Sequence, residues 1–177
     1  MKAMNKTTIF CGLFLLALIV CPIVTAYDSN AVQYYNEGVD FASAGRYSDA
    51  LASLDKAIAI DPSMSEAWYN RGTALNNLGL NTEAVASFDK AIAINPNDAA
   101  TWNNRGTALG NLGRYSEAVA SFDKALALNP NDAKTKSNRD LALERQSQAQ
   151  STPLMYAPIG AIVLMAGIVI WSRRRSI

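Results

Sequence analysis

The chain has 177 residues and a formal net charge of +1, with no histidine and only two cysteines, Cys11 and Cys21. Both cysteines fall in an apolar N-terminal stretch, so the rest of the chain lacks the atoms for a Ser-His-acid triad, a Cys-His pair, His or Cys zinc ligation or a disulfide. Charge is unevenly divided: residues 27–152 hold all 15 acidic side chains and 11 of the 16 basic ones, a net −4 that disfavours nucleic acid as a partner.

Residues 1–26 read as a secretory leader. Lys2 and Lys6 precede an uncharged run from Thr7 to Tyr27, and Val24-Thr25-Ala26 suits cleavage after Ala26. The run is also about the ~20 residues that span a bilayer, so an uncleaved N-terminal anchor is the alternative. A lipid-modified Cys21 is a third reading, though Val20 is bulkier than the small residue usual before a lipidated cysteine.

The middle of the chain repeats itself in units of equal length: 31–64, 65–98 and 99–132 align without gaps. The second and third units are identical at more than two thirds of their positions, the first and second at fewer than half. Each unit holds two apolar-periodic stretches, such as Glu66 to Leu78 and Glu83 to Ile94, which predict a pair of helices. Gly45, Gly79 and Gly113 suit the left-handed turn after the first helix, Pro62, Pro96 and Pro130 close the second, and Ser63 with Glu66 has the spacing of a capping box. Small Gly72, Gly106, Ala84, Ala118, Ala91 and Ala125 let paired helices approach, while Trp68, Trp102, Phe88 and Phe122 fill the space beside them as core.

These residues resemble the tetratricopeptide repeat family, whose units carry Trp, Gly, Tyr, Ala, Phe, Ala and Pro at fixed spacing. The second unit places Trp68, Gly72, Leu75, Ala84, Phe88, Ala91 and Pro96 there; the third places Trp102, Gly106, Leu109, Tyr115, Ala118, Phe122, Ala125 and Pro130. The first unit diverges, with Tyr34 for Trp and Leu54 for Phe, and Asn81 replaces the Tyr of the second. The resemblance covers residues 31–132 and, as a polar capping helix, 133–147. It implies an all-α fold: a right-handed superhelical solenoid of three helix-turn-helix repeats plus the cap, with a concave groove lined by the first helix of each pair.

At about 100° per residue, the face of the first helices opposite the packing stripe carries Tyr35, Asn36 and Val39, with Val32 and Ser43. Its counterparts are Tyr69, Asn70, Thr73 and Asn77, with Glu66, then Asn103, Asn104, Thr107 and Asn111, with Ala100. This surface is polar and nearly uncharged. Asn36, Asn70, Asn104 and Asn138 recur at the repeat interval, and a primary amide offers the donor and acceptor that a peptide backbone needs. Asparagines at this place in the family can hold an extended peptide, so the resemblance implies a peptide-binding ladder of solvent-facing amides. The alternative is that asparagine solvates the helix. Gripping an acidic C-terminus would need cations in the groove, where only Lys134 at the edge qualifies. Arg71, Arg105 and Arg139 form another column on the packing side, with Glu37 expected to pair with Arg71.

After a short polar tether at 149–152, the chain runs uncharged from Pro153 to Trp171, and Arg173-Arg174-Arg175 follow. At about 1.5 Å per residue this predicts a single membrane-crossing helix over 153–172, and the positive-inside tendency puts residues 173–177 in the cytoplasm and the repeats outside. A processed C-terminal tail is an alternative, although Ser151-Thr152-Pro153-Leu154 fits no sorting motif.

Together these features predict a membrane-tethered, extracytoplasmic scaffold that binds an extended peptide or partner protein of the cell envelope in its groove. The alternative is a self-assembling structural component, a homo-oligomer. No residue is assigned a catalytic, cofactor-binding or metal role, because Ser, Lys and carboxylates occur without a convergent set.

Overall fold

The computed structural model describes residues 30–151, which are helical apart from short turns. Residues 30–43 belong to α1, followed by α2 (Tyr47–Ile60), α3 (Ser65–Asn77), α4 (Asn81–Ile94), α5 (Ala99–Asn111), α6 (Tyr115–Leu128) and α7 (Ala133–Ser151). This is the expected all-α solenoid: three helix pairs and a closing helix. α7 continues through residues 149–151, which the sequence assigned to a tether.

The membrane-crossing helix is corrected. Among the described residues no helix is long and apolar enough to cross a membrane. The expected span, residues 153–172, lies like residues 1–26 outside the described residues.

The turns follow from single residues. Gly45, Gly79 and Gly113 have φ of 74°, 77° and 74°, and the next residue's N–H returns to the helix, as in Leu80 N to Leu75 O at 2.9 Å and Arg114 N to Leu109 O at 2.9 Å. Glycine adopts this left-handed geometry without a Cβ penalty. The second helix of each pair leads into a proline loop, and a tryptophan fastens the first two: the indole Nε1 of Trp68 donates to Pro62 O at 3.0 Å, and that of Trp102 to Pro96 O at 2.9 Å.

The capping box at Ser63 and Glu66 does not form. Met64 occupies the cap of α3 with no side-chain bond, and Ser63 bonds Asp61 instead. At the same place in the later units stand Asp98, which accepts from Ala100 N and Thr101 N, and Asp132, which accepts from Lys134 N. Hydrogen bonds from the Thr135 hydroxyl and then the Thr135 backbone N–H hold the Asp132 carboxyl below the usual carboxylate range.

Each pair closes on a glycine. A Cβ on Gly72 would lie 2.7 Å from Phe88 Cε1, and one on Gly106 2.6 Å from Phe122 Cε1; Gly38 stands likewise against Leu54. Ala50, Ala84 and Ala118 are fully buried where the helices cross. Between repeats the first helices approach closely, α3 to α5 and α5 to α7, while among the described elements the backbones of the second helices stand farther apart. The stack therefore curves with its first helices on the inside.

The arginine column works differently from expectation. Arg71 Nε pairs with Asp55 Oδ1 of α2 at 2.6 Å while its Nη1 donates to Ser87 Oγ of α4 at 2.7 Å. Arg105 repeats this with Asp89 and Ser121 at 2.6 and 2.7 Å. Each guanidinium thus links consecutive second helices. Glu37 accepts from Gln33 on its own helix and leaves Arg71 to Asp55.

Candidate functional site

The predicted groove residues lie on α1, α3 and α5, with Asn138 on α7, but their amides are not idle. Asn70 Nδ2 donates to the Tyr35 hydroxyl at 3.3 Å and to Glu66 O at 3.0 Å; Asn104 Nδ2 donates to the Tyr69 hydroxyl at 3.0 Å. Asn138 Nδ2 reaches Asn103 Oδ1 at 3.3 Å, where Thr135 Oγ1 also donates at 3.1 Å. The asparagine column is therefore first a set of rungs between successive first helices, each rung ending on the residue before the asparagine of the preceding unit. The expectation of solvent-facing amides is corrected for Asn70, Asn104 and Asn138, all half-buried, and Asn103 is buried. Asn36 is exposed and its amide bonds no other repeat among the described residues.

What remains open to a ligand is the other half of these groups. Asn70 Oδ1 accepts from no described donor, so it can take a peptide N–H. Asn77 is exposed, with its Nδ2 turned back to Thr73 O at 2.8 Å. Thr73 and Thr107 are half-buried and spend their hydroxyl protons on Tyr69 O and Asn103 O, leaving oxygen lone pairs. Val39 is half-buried on α1. Asn111 spans the gap to the preceding unit, donating to Asn76 Oδ1 at 3.2 Å and Asn81 Oδ1 at 3.4 Å.

Two clefts open along this surface. One, about 310 Å³, lies between α5 and α7 over α6 and brings together the predicted Thr107, Asn111 and Asn138 with Gly106, Gly110, Tyr115, Phe122, Leu141, Ala142 and Arg145. The other, about 250 Å³, is lined by Tyr69, Ser65, Glu66, Ala91, Asn95, Asp98 and Thr101. Leu141 and Arg145 lie outside the face predicted for the groove, because the polar run of α7 reads as a solvating cap. Their signal was available: they stand one repeat interval after Thr107 and Asn111. Among the described residues no group of acidic side chains could hold a metal ion. The arrangement is suited to reversible hydrogen bonding and apolar contact.

A family model for the tetratricopeptide repeat matches residues 35–99, and a second model of that repeat matches residues 99–132. No curated protein matches the chain. Among solved structures, the first tetratricopeptide-repeat domain of human RPAP3 is similar with a TM-score of 0.68 at 21% identity, covering 71% of this chain and 98% of that one. The Arabidopsis OM64 domain gives 0.65 at 24% identity, covering 67% and 98%. The first such domain of Spaghetti (RPAP3), solved bound to the HSP90 peptide SRMEEVD, gives 0.65 at 23% identity, covering 71% and 96%. At these identities the likeness establishes the fold.

Proposed function

Because the chain belongs to the tetratricopeptide-repeat family, with its repeats matched over residues 35–132, we propose that it is a scaffold binding an extended peptide segment of a partner protein along the inner face of α1, α3, α5 and α7. One observation carries the reading: a cleft of about 310 Å³ between successive first helices, walled by Thr107, Asn111 and Asn138 over the apolar floor of Phe122 and Ala142. Similar domains that hold peptides, the Spaghetti domain with an HSP90 peptide and the second RPAP3 domain with an HSP70 peptide, support it by analogy of fold.

Ten-residue peptides selected from a display library on the full chain, then titrated by fluorescence anisotropy, test this. Asn36→Ala and Asn77→Ala remove exposed amides that hold no other repeat, so each is expected to leave the melting temperature unchanged and to weaken binding by about tenfold, the loss of one or two neutral hydrogen bonds. Asn70 and Asn104 are unsuitable for the purpose, since their amides also bridge repeats. Affinities that ignore both variants would remove the groove from the account.

The reading extends to place: work outside the membrane on an envelope partner, with attachment through an uncharged terminal stretch. Support comes from sequence alone, from Lys2 and Lys6 before one such run and Arg173 to Arg175 after the other. Protease added to intact cells is expected to degrade the repeats; survival until the membrane is permeabilised would place them inside. Self-assembly competes on one observation, the exposed Leu141 and Leu143 of α7, and would appear as concentration-dependent sedimentation.

A further inference from the structure

The two gaps that flank α5 are built from equivalent positions and filled differently. Between α3 and α5, the Asn111 amide bridges Asn76 and Asn81 and ties the gap across. One unit later those three positions are Arg145, Gly110 and Tyr115. Nothing lies within 4 Å of the place where a Gly110 Cβ would stand, and the space it leaves belongs to the 310 Å³ cleft. Gly110 is not there for the backbone: it sits inside α5 without a positive φ, where glycine weakens a helix by about 1 kcal/mol relative to alanine. Its consequence is an opening.

The walls of that opening have a definite chemistry. Tyr115, Phe122, Leu141 and Ala142 make it apolar, and Leu141 is 52% exposed among the described residues. Arg145, one helical turn after Leu141 and so on the same face, lines the cleft, and its side chain makes no ion pair or hydrogen bond with any described residue. Among the described residues that line the cleft it is the only charged one. α7 is also the basic part of the stack, with Lys134, Lys136, Arg139 and Arg145 against Asp140 and Glu144, while residues 30–132 carry a surplus of acid.

Resting on the groove reading above, we propose that the α5–α7 cleft is an anchor pocket for an apolar side chain of the bound peptide, with Arg145 pairing the carboxylate of a neighbouring Asp or Glu. The preferred partner is then a segment in which an aromatic or large aliphatic residue lies beside an acidic one. The tied gap between α3 and α5 accepts main chain but no such side chain, so the peptide's register along the groove is fixed at this end.

Selection with amidated ten-residue peptides, which offer no C-terminal carboxylate, is expected to enrich this apolar-acidic pair. Gly110→Asn installs the residue found one repeat earlier, fills open space and leaves the fold unstrained; it is expected to weaken the selected peptides about thirtyfold, the loss of one buried anchor. Arg145→Asn is expected to weaken them less, about three- to tenfold, and to abolish most of their salt dependence. Thermal melts of both variants should match wild type. Peptides that bind, respond to Asn36→Ala and Asn77→Ala, but ignore Gly110→Asn would overturn the pocket and leave the groove standing. Absence of binding by any peptide would overturn both. A wild-type oligomer that Gly110→Asn dissociates would mean that a second copy, not an acidic peptide, fills the cleft, and would equally overturn the proposal.

Discussion

Replacing Phe122 by alanine is expected to destabilise the stack by about 3–5 kcal/mol, the usual cost of emptying a buried aromatic site. The ring is 3% exposed and lies against the α5 backbone at Gly106, where a Cβ would come within 2.6 Å of Cε1. The α5 backbone lies on one side and the α5–α7 cleft on the other, so the void opens into the cleft rather than closing by collapse. Since a domain of this size has only about 5–15 kcal/mol in hand, melting should fall by on the order of 10 °C. The same contact predicts a change of sign. Gly106→Ala is destabilising in the wild-type chain, where its methyl meets the ring, and stabilising in the Phe122→Ala background, where the methyl enters the void and alanine favours the helix by about 1 kcal/mol. Thermal melts of the four chains decide it; a Gly106→Ala effect of one sign in both backgrounds would show that the ring does not sit on the glycine.

Ala118→Leu is the second large effect. Ala118 is fully buried on α6 beneath α5, so three added carbons have no space and should cost about 1–3 kcal/mol by overpacking. Ala120→Leu, two residues away on the exposed face of the same helix, should leave the melt within about 0.5 kcal/mol. Equal melts for the two variants would contradict the helix crossing.

Both predictions rest on positions legible in the sequence, because a unit repeated three times exposes its own packing code: Gly72 and Gly106, Phe88 and Phe122, Ala84 and Ala118 recur at one interval. Gly79 and Gly113 were legible for the same reason, a backbone demand that glycine meets. Contacts between units were harder. Arg71 lies as naturally beside Glu37 in an aligned column as beside Asp55, and only the angle between successive pairs decides for Asp55. A hint was present, since Asp55, Asp89 and Asp123 keep step with Arg71, Arg105 and Arg139 at a constant offset along the chain.

The capping box at Ser63 failed for a local reason. Asp61 captures the Ser63 backbone and hydroxyl, and Met64 takes the position where Asp98 caps α5. The groove residues are legible as one face but not as bonded amides, because a helical wheel shows the face of one helix and not the tyrosine hydroxyl arriving from its neighbour. The cleft at Gly110 required that neighbour as well: its floor comes from α6 and its far wall from α7.

Hydrogen exchange of the full chain, with and without a selected peptide, tests the central claim most directly. Occupation of the groove predicts slowed amide exchange in α3, α5 and α7, greatest around Gly110 and Leu141, with α4 and the outer face of α6 unchanged. Protection confined to the second helices, or none on the first helices at saturating peptide, would contradict it.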